Sequence, residues 1–464
     1  MLDLIVVARD FLWNYILMIG LLGVGIYLSI KLKFPQIKRL FPAMGKLIRD
    51  IKENAPSPEG QMTPFQSLAT AVAAQVGTGN IVGVATAIAS GGPGASFWMM
   101  LSAFFGMSTI FSEAVLAQVY REEKNGELVG GPAFYIKNGM KSKWLAVVFA
   151  ILCIIALGIV GVMVQSNSIV ESLNDSFQIP TAWATIALTA VVGMILTGGM
   201  SRIAGFSEKV VPVMAFAYIF GSLVIIFSNL PMLGEALRMI FVGAFTPAAI
   251  GGGVLGIGIQ EAVRFGLARG LFSNEAGMGS TPHSHATAST DHPAEQGFIA
   301  MIGVFISTFC ICLSTVFINL MSSSYNPGIP AVEMEKFATL MTQKAFENNF
   351  ATVGAAFLSI SLSSFALTTI VGWYFFAESN VKFLLGEKPW IIGLSRVLAL
   401  GFLVLGTLIP PDTMWLLADF FMGLMAIPNI IAMVALAGVS KKILDHYDRC
   451  KELKQMSWPT KEDL

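Results

Sequence analysis

Two short segments of the sequence place glycine beside polar side chains inside long apolar stretches. Residues 76–80 read VGTGN within the apolar stretch 65–90, and residues 273–277 read SNEAG within 252–280. Glycine in a helix interior costs up to about 1 kcal/mol relative to alanine, so each segment is a weak point in a helix. In hydrocarbon every freed backbone group must find a partner. A helix that breaks at that depth therefore indicates a binding site for an ion or a polar solute. Close helix packing through glycine is the alternative interpretation, which the neighbouring polar groups disfavour.

The composition supports a protein embedded in a lipid bilayer. Charged residues make up 12% of the chain, whereas soluble proteins have roughly 25%. Apolar residues make up 55%, and the mean hydropathy is +0.71. The formal net charge is zero, so the overall charge gives no sign of a nucleic-acid partner, and we expect none. We expect an all-α polytopic membrane protein.

Eleven apolar segments are long enough to be candidate transmembrane helices. They cover residues 11–30, 65–90, 95–119, 144–172, 181–200, 210–229, 252–280, 296–320, 350–377, 390–409 and 413–438. Glu261, Arg264 and Arg269 interrupt the seventh. A more polar segment, 321–349, is expected to be amphipathic around 332–346.

The distribution of basic residues predicts the orientation in the plasma (inner) membrane. If the N-terminus lies outside, 22 of the 29 Lys and Arg residues fall in cytoplasmic loops or in the C-terminal tail. Only Arg9, Arg238, Lys336 and Lys344 then lie outside. The first segment has no basic cluster before its apolar run, so we expect it to remain as a membrane anchor rather than a cleaved leader.

Several longer motifs occur in an order that is typical of one family. They are GGPGASFWMMLSAFFG (91–106), FSEAVLAQVYRE (111–122), GGPAFYI (130–136), GLFSNEAGMGS (270–280) and FALTTIVGWYFF (365–376). Together with VGTGN, they resemble the alanine or glycine:sodium symporters, whose fold is the LeuT-type inverted repeat. Ser96 and Met100 depart from the usual pattern, which has an aliphatic residue and a second tryptophan at those places.

The resemblance implies a division of the chain into four parts. One extra transmembrane helix and a basic cytoplasmic segment occupy 1–62, followed by five-helix halves over 63–229 and 230–438. A cytoplasmic tail covers 439–464. Each half then begins with an interrupted helix, and a pair of such helices is where transporters hold their solute.

The first break offers groups for both ends of a zwitterion and for a cation. A half-helix starting after Gly77 presents unpaired amides, which suit a carboxylate. We assign that role to the backbone of Gly77, Thr78 and Gly79, with help from the Thr78 hydroxyl. By resemblance to the fold, sodium is held by the carbonyls of the preceding half-helix and by the ninth span. The implied ligands are the carbonyls of Ala73, Val76 and Phe365 and the hydroxyls of Thr368 and Thr369.

Other polar residues have two interpretations each. Asn80 is a ligand for substrate or a second cation, or it braces the broken helix. Gln165 contacts substrate, or it bonds to another helix. Trp373 caps the pocket, with a lipid-interface role as the alternative. Ser273, Asn274 and the carbonyls near Gly277 are expected to face the substrate ammonium group.

Two carboxylates inside apolar segments are candidate functional residues, because an ionisable group is costly in the membrane. Glu113 resembles a buried structural glutamate of the fold that satisfies unwound backbone, and Glu275 is expected to brace its own break. His283, His285 and His292 are expected in a cytoplasmic loop, and their spacing does not favour a metal site. The four cysteines are expected to be packing residues.

The predicted function is sodium-coupled symport of alanine, glycine or a similar small neutral amino acid. Sodium is the coupling ion, and no cofactor is expected. No nucleotide loop, hydrolase elbow or paired catalytic carboxylates occur in the sequence, so an enzyme is not expected. The alternatives are proton coupling through Glu113 or Glu275, transport of glutamine or another larger amino acid, and a sensor or channel that binds an amino acid without pumping it.

Overall fold

The long apolar segments fold as helices, because a backbone in lipid must satisfy its own hydrogen bonds. A computed structural model describes residues 2–53, 58, 60–124, 126–245, 259–322, 325, 331–460 and 463. Within these ranges the chain is mostly helical. Strands β1 (Glu122–Lys124) and β2 (Glu127–Val129) pair antiparallel, with Glu123 opposite Leu128. The helices of five or more residues are α1 (Asp3–Lys31), α2 (Leu40–Glu53), α3 (Pro64–Gln75), α4 (Val82–Gly91), α5 (Ala95–Val119), α6 (Pro132–Asn138), α7 (Lys143–Phe177), α8 (Thr181–Leu196), α9 (Gly199–Ser228), α10 (Leu233–Phe245), α11 (Ile259–Asn274), α12 (Pro282–Ala286), α13 (Pro293–Met321), α14 (Ala331–Phe350), α15 (Thr352–Leu385), α16 (Pro389–Gly406) and α17 (Pro411–Glu452).

Eight helices of the described ranges are long and apolar enough to cross a bilayer. They are α1, α5, α7, α9, α13, α15, α16 and α17. Helices α4 and α8 are apolar but shorter. Of the predicted seventh segment, residues 252–258 lie outside the described residues. The prediction of a multi-span helical protein is therefore confirmed, while the number eleven stays a prediction.

The predicted break at 76–80 is present in the structure. Helix α3 begins after Thr63, whose hydroxyl accepts a hydrogen bond from the Gln66 backbone amide, while the Gln66 side-chain oxygen accepts one from the Thr63 backbone amide. It ends at Gln75, a single 3-10 turn covers Thr78–Asn80, and α4 resumes at Val82. All the residues from 76 to 80 are buried. The break is therefore enclosed by protein rather than by lipid.

The predicted interruption at 273–277 is also present in the structure. Helix α11 stops at Asn274, inside the SNEAG motif, so the apolar segment 252–280 does not continue to residue 280 as one helix. Glu275 has φ 56° and Gly277 has φ 88°, left-handed values that an α-helix does not contain. The expectation that His283 and His285 lie in a loop is wrong, because both belong to the five-residue helix α12 and are buried.

Helix α5 lies at the centre of the packing. It packs against α1, α11 and α13, and Ile110, Phe111 and Ala114 on it are fully buried. Helix α3 packs against α9, α13 and α15, and α7 packs along α15. The amphipathic segment predicted around 332–346 forms α14, which lies against α4. These contacts enclose both breaks between α5, α13 and α15.

The last helix continues well beyond its predicted end. The sequence places the end of the eleventh segment at 438, but α17 runs to Glu452. The division proposed at 438/439 therefore lies within a continuous helix. Since Ser440 and Ile443 are fully buried, packing continues past the apolar run.

Candidate functional site

The first break brings free backbone carbonyls of α3 onto a threonine pair of α15. Val76 leaves helical geometry, so the last carbonyls of α3 lack helical partners. The Thr369 hydroxyl oxygen lies 3.0 Å from the Ala73 carbonyl oxygen and 3.2 Å from that of Val76. It also lies 3.0 Å from the Phe365 carbonyl oxygen, to which the Thr368 hydroxyl donates at 2.8 Å. The five residues predicted to bind sodium thus lie together.

This cluster has more acceptors than hydrogens. A hydroxyl carries one hydrogen and can donate fully to one acceptor at a time. The Thr369 hydroxyl faces three carbonyl oxygens within 3.2 Å, and the Ala74 carbonyl oxygen lies at 3.5 Å. The oxygens that remain carry partial negative charge without a formal charge. Such a group of neutral oxygens suits a weakly held monovalent cation.

Gly77 allows α15 to approach the break. A Cβ atom at this position would lie 2.6 Å from the Thr369 hydroxyl oxygen and 3.3 Å from Oε1 of Gln165. The first distance is shorter than any ordinary contact, so a side chain at Gly77 would displace the threonine. Glycine is therefore needed here for close packing as well as for the break.

Asn80 joins the two breaks through both ends of its amide. Its Oδ1 accepts a hydrogen bond from the Gly77 amide at 3.0 Å, across the turn that it belongs to. Its Nδ2 donates to the Ser273 hydroxyl at 2.8 Å and to the Ser307 hydroxyl at 2.9 Å. The Cys312 thiol lies 3.3 Å from the same Nδ2 and 3.0 Å from the Ser273 hydroxyl. Asn80 braces its own turn and links α11 and α13 to it.

The amides expected to be unpaired have internal acceptors at two of three positions. The Gly77 amide donates to Asn80, and the Thr78 amide donates to Gln165 Oε1 at 3.4 Å. The expectation of free amides at these two positions is therefore wrong, because a buried amide requires an acceptor. The Gln165 bond is long, whereas the Thr78 hydroxyl is buried and has no hydrogen-bond partner among the described residues.

Asn274 connects the second break to α3 and α13. Its backbone carbonyl accepts a hydrogen bond from the Gln75 side chain at 2.8 Å, which joins the ends of α3 and α11. Its side chain accepts from the Ala276 amide and donates to the Thr308 hydroxyl at 3.3 Å. The carbonyl oxygen of Gly277, predicted to face a substrate, instead accepts from Asn429 of α17 at 2.8 Å.

A buried carboxylate holds the second break open. Glu113 on α5 accepts hydrogen bonds from the Gly277 and Gly279 amides, each at 3.0 Å. The Asn429 side chain donates to the same carboxylate at 2.5 Å. The carboxylate oxygens take the place of the helical carbonyl acceptors that the amides of Gly277 and Gly279 lack. A carboxylate with several such donors is stable without a cation beside it.

The second acid and the tryptophan form one unit. Trp373 Nε1 donates to Glu275 Oε1 at 2.6 Å, and the Ser280 hydroxyl donates to the other carboxylate oxygen. The Trp373 ring is buried, and it meets the Phe272 ring edge to face with centroids 6.4 Å apart. The lipid-interface interpretation of Trp373 is therefore wrong. Phe272 also closes on the first break, because a Cβ atom on Gly79 would lie 2.8 Å from its ring.

Some participants were not singled out from the sequence. They are Gln75, Phe272, Ser307, Thr308, Cys312, Thr315 and Asn429. The expectation that the cysteines only pack is wrong for Cys312, whose thiol contacts Asn80 and Ser273. Polar residues inside the apolar segment 296–320 were a usable signal, since each needs a partner in lipid. Asn429 offered the same signal within 413–438.

The family of the chain follows from comparison of its full length with known proteins. Residues 1–461 match the model of the sodium:alanine symporter family. The chain belongs to this family. It is therefore a multi-pass membrane transporter of a family that carries amino acids with sodium, and not an enzyme.

Relatives that are named for different amino acids are about equally similar to this chain. The chain is 38% identical to a probable sodium/glutamine symporter of Bacillus subtilis, covering 96% of this chain and 90% of the relative. It is 36% identical to a sodium/alanine symporter of Methanococcus maripaludis, covering 94% and 95%. An amino-acid carrier protein of Bacillus subtilis is 36% identical over 98% and 93%. These identities show the family but do not distinguish which amino acid is transported, which depends on the residues of the binding site.

The fold is shared with a distant transporter of known structure. A crystal structure of the Eremococcus coleocola manganese transporter matches with a TM-score of 0.52 at 13% identity. The match covers 84% of this chain and 78% of that transporter. At this identity the likeness concerns the fold alone.

Proposed function

We propose that this family member carries alanine, glycine or a similar small neutral amino acid into the cell together with sodium. The observation that carries the proposal is the Thr369 hydroxyl, which faces carbonyl oxygens of Ala73, Val76 and Phe365 at 3.0 to 3.2 Å. A neutral oxygen cluster between a broken helix and a packed helix can bind sodium and release it again. Thr368 completes the set through the Phe365 carbonyl.

The amino acid binds beside the cation, at the amides of the first break. Its carboxylate replaces Gln165 at the Thr78 amide, where the present bond is 3.4 Å, and takes a hydrogen bond from the Thr78 hydroxyl. Gly79 adds its amide, and the partial positive charge of the α4 terminus favours an anion. The ammonium group faces Ser273 and Asn274. Phe272 and Trp373 limit the side chain to a small one.

The architecture that suits this function is a LeuT-type inverted repeat of eleven transmembrane helices. α1 is the added helix, and residues 63–229 and 230–438 are the two halves, each opened by one of the breaks. The N-terminus lies outside and the tail beyond residue 438 in the cytoplasm, as the positive-inside rule requires. Alternating access then moves one half against the other around the fixed site.

The coupling is sufficient for accumulation without ATP. One sodium ion with a net-neutral amino acid carries one positive charge inward, which a membrane potential favours by about 2.3 kcal/mol per 100 mV. A tenfold sodium gradient contributes about 1.4 kcal/mol more. Together they sustain accumulation on the order of 500-fold.

Glutamine is the second candidate substrate. The relative named as a probable sodium/glutamine symporter is 38% identical to this chain, and the sodium/alanine symporter is 36% identical. The amides and oxygens of the site serve any neutral amino acid, so the wall formed by Phe272 and Trp373 decides between the two. Competition of labelled alanine uptake by glycine, serine and glutamine separates the candidates.

The decisive experiment is sodium-dependent alanine uptake into liposomes by Thr369→Val and Thr369→Ser. Valine removes the hydroxyl at constant shape, and we expect the sodium concentration for half-maximal uptake to rise at least tenfold. Serine restores the hydroxyl and should recover most of the affinity. Ser364→Ala is the matched control, since this hydroxyl on the same helix bonds only to the Ile360 carbonyl among the described contacts. Unchanged sodium dependence in Thr369→Val would overturn the cation site.

A further inference from the structure

Helix α2 has a largely exposed apolar face at the side of the protein. Phe41 is 68% exposed, Ile48 53% and Ile51 43%. These positions recur at the spacing of one helical stripe, so their side chains point in similar directions. In a protein surrounded by water such a stripe would be costly. Here it requires an apolar neighbour.

The side of α2 next to this stripe is attached to the protein. Leu40 and Leu47 are buried in the main hydrophobic core. Lys46 Nζ lies 2.5 Å from a carboxylate oxygen of Glu295, at the start of α13. Just before the helix, Arg39 pairs with Asp448 of α17, also at 2.5 Å. Because α2 is fixed on this side, its exposed stripe has a defined direction.

The stripe lies beside a membrane-spanning helix. The Phe41 ring meets the Phe305 ring edge to face, with centroids 6.4 Å apart. Phe305 belongs to α13, which is long and apolar enough to cross the bilayer. The apolar stripe of α2 is therefore continuous with the flank of a helix that faces lipid. This position favours the bilayer over a soluble protein as its neighbour.

The segment around the stripe is strongly basic. Residues 31–53 contain seven Lys and Arg residues and two acidic residues, Asp50 and Glu53. Two of the seven are used by Glu295 and Asp448. Lys38, Arg49 and Lys52 remain exposed. Arg49 and Lys52 lie along one edge of the apolar stripe. From such an edge, basic side chains of a helix in the membrane surface reach lipid headgroups.

We propose that α2 lies in the plane of the membrane surface and binds anionic phospholipid headgroups through Lys38, Arg49 and Lys52. Phe41 and Ile48 of this stripe enter the acyl region below those headgroups, while Ile51 at its end lines the cavity that α2 helps to enclose. Helix α2 is then held at two places, by lipid along its stripe and by the ion pair of Lys46 with Glu295 at the start of α13. Helix α2 also forms one wall of a cavity of about 640 Å³, whose other walls include the starts of α3 and α13. Bound anionic lipid therefore stabilises that wall.

The test measures lipid binding by the purified full chain and needs no transport. Thermal unfolding is followed in neutral detergent during titration with phosphatidylglycerol, phosphatidylcholine or glycerol phosphate. We expect stabilisation by phosphatidylglycerol only. Arg49→Gln with Lys52→Gln should weaken that binding about fivefold for each charge removed. Lys209→Gln with Lys388→Gln removes two exposed charges elsewhere and should change the binding less than twofold.

A second measurement tests the immersion of the stripe. A spin label at Ile48→Cys, in a background where half-buried Cys310 is serine, should collide more with oxygen than with a water-soluble nickel chelate in a bilayer. A label at Glu53→Cys should show the reverse. Equal stabilisation by both lipids, equal loss in the control pair, or nickel access at position 48 would overturn the proposal. Stabilisation by glycerol phosphate would overturn it too, since that result assigns a soluble phosphate site. Failure of sodium-coupled uptake would leave these results unaffected.

Discussion

The two breaks solve the same backbone problem with different chemistry. At the first, neutral groups satisfy the freed amides: Asn80 accepts from Gly77, and Gln165 accepts from Thr78. At the second, the Glu113 carboxylate accepts from Gly277 and Gly279. A charged acceptor binds amides about twice as strongly as a neutral one. The first break is therefore suited to exchange partners during a cycle, and the second to stay fixed.

The largest effect is expected from removing the acid that holds the second break. Glu113→Ala leaves the amides of Gly277 and Gly279 buried without an acceptor, at a cost of about 3 to 5 kcal/mol. We expect little folded protein, measured by thermal unfolding and size-exclusion chromatography. Glu113→Gln keeps one acceptor and should fold with a reduced melting temperature. If Glu113→Ala folds normally and only sodium affinity falls, the contrast between the two breaks is wrong.

A smaller effect is expected at the first break, and on binding rather than folding. Gly77→Ala places a Cβ atom 2.6 Å from the Thr369 hydroxyl oxygen, which must move away from the carbonyl cluster. We expect at least tenfold weaker sodium dependence of alanine uptake with near-normal protein yield. Gly83→Ala is the matched control, since its Cβ would meet only Arg269 Cδ at 3.8 Å among the described atoms. Similar behaviour of both variants would contradict the role of Gly77.

The smallest effect is expected away from both breaks, at His292. Burial, together with the neighbouring His446, lowers the pKa of His292 from 6.5 to about 4. Between these values the unfolded chain binds a proton that the folded protein does not, so stability falls as the pH drops from about 6.5 toward 4. His292→Asn keeps an oxygen for the Ala294 amide, which now donates to His292 Nδ1 at 3.1 Å.

The measurement is the melting temperature between pH 5 and pH 7.5. The wild type should become more stable as the pH rises, and His292→Asn should show a flatter profile. A profile that is equally steep in the variant would place the titrating group elsewhere. In that case Glu113 and Glu275, the two acids at the second break, would be the next groups to substitute.

Local sequence was sufficient for the first break and insufficient for its partners. VGTGN breaks the helix because two glycines and two polar residues interrupt an apolar run. Its partner Ser307 is 227 residues away from Asn80, and Cys312 is 232 away. The pairing arises from the packing of α13 against α3 and α5, which no local pattern contains. The SNEAG motif likewise marks the end of α11 at Asn274, but the acceptor that serves this break, Glu113 of α5, lies 164 positions from Gly277.

The sequence by itself determined that the chain is a multi-span membrane protein and which family it belongs to. It also determined the position of the break at 76–80, between α3 and α4. Those features depend on composition and on short motifs, and they require no knowledge of contacts. Only the tertiary structure decided that Thr369 meets three carbonyl oxygens and that Glu113 serves the second break. Apart from the contact of Thr369 with Phe365 on the same helix, those contacts join residues more than 160 positions apart, and their geometry follows from helix packing.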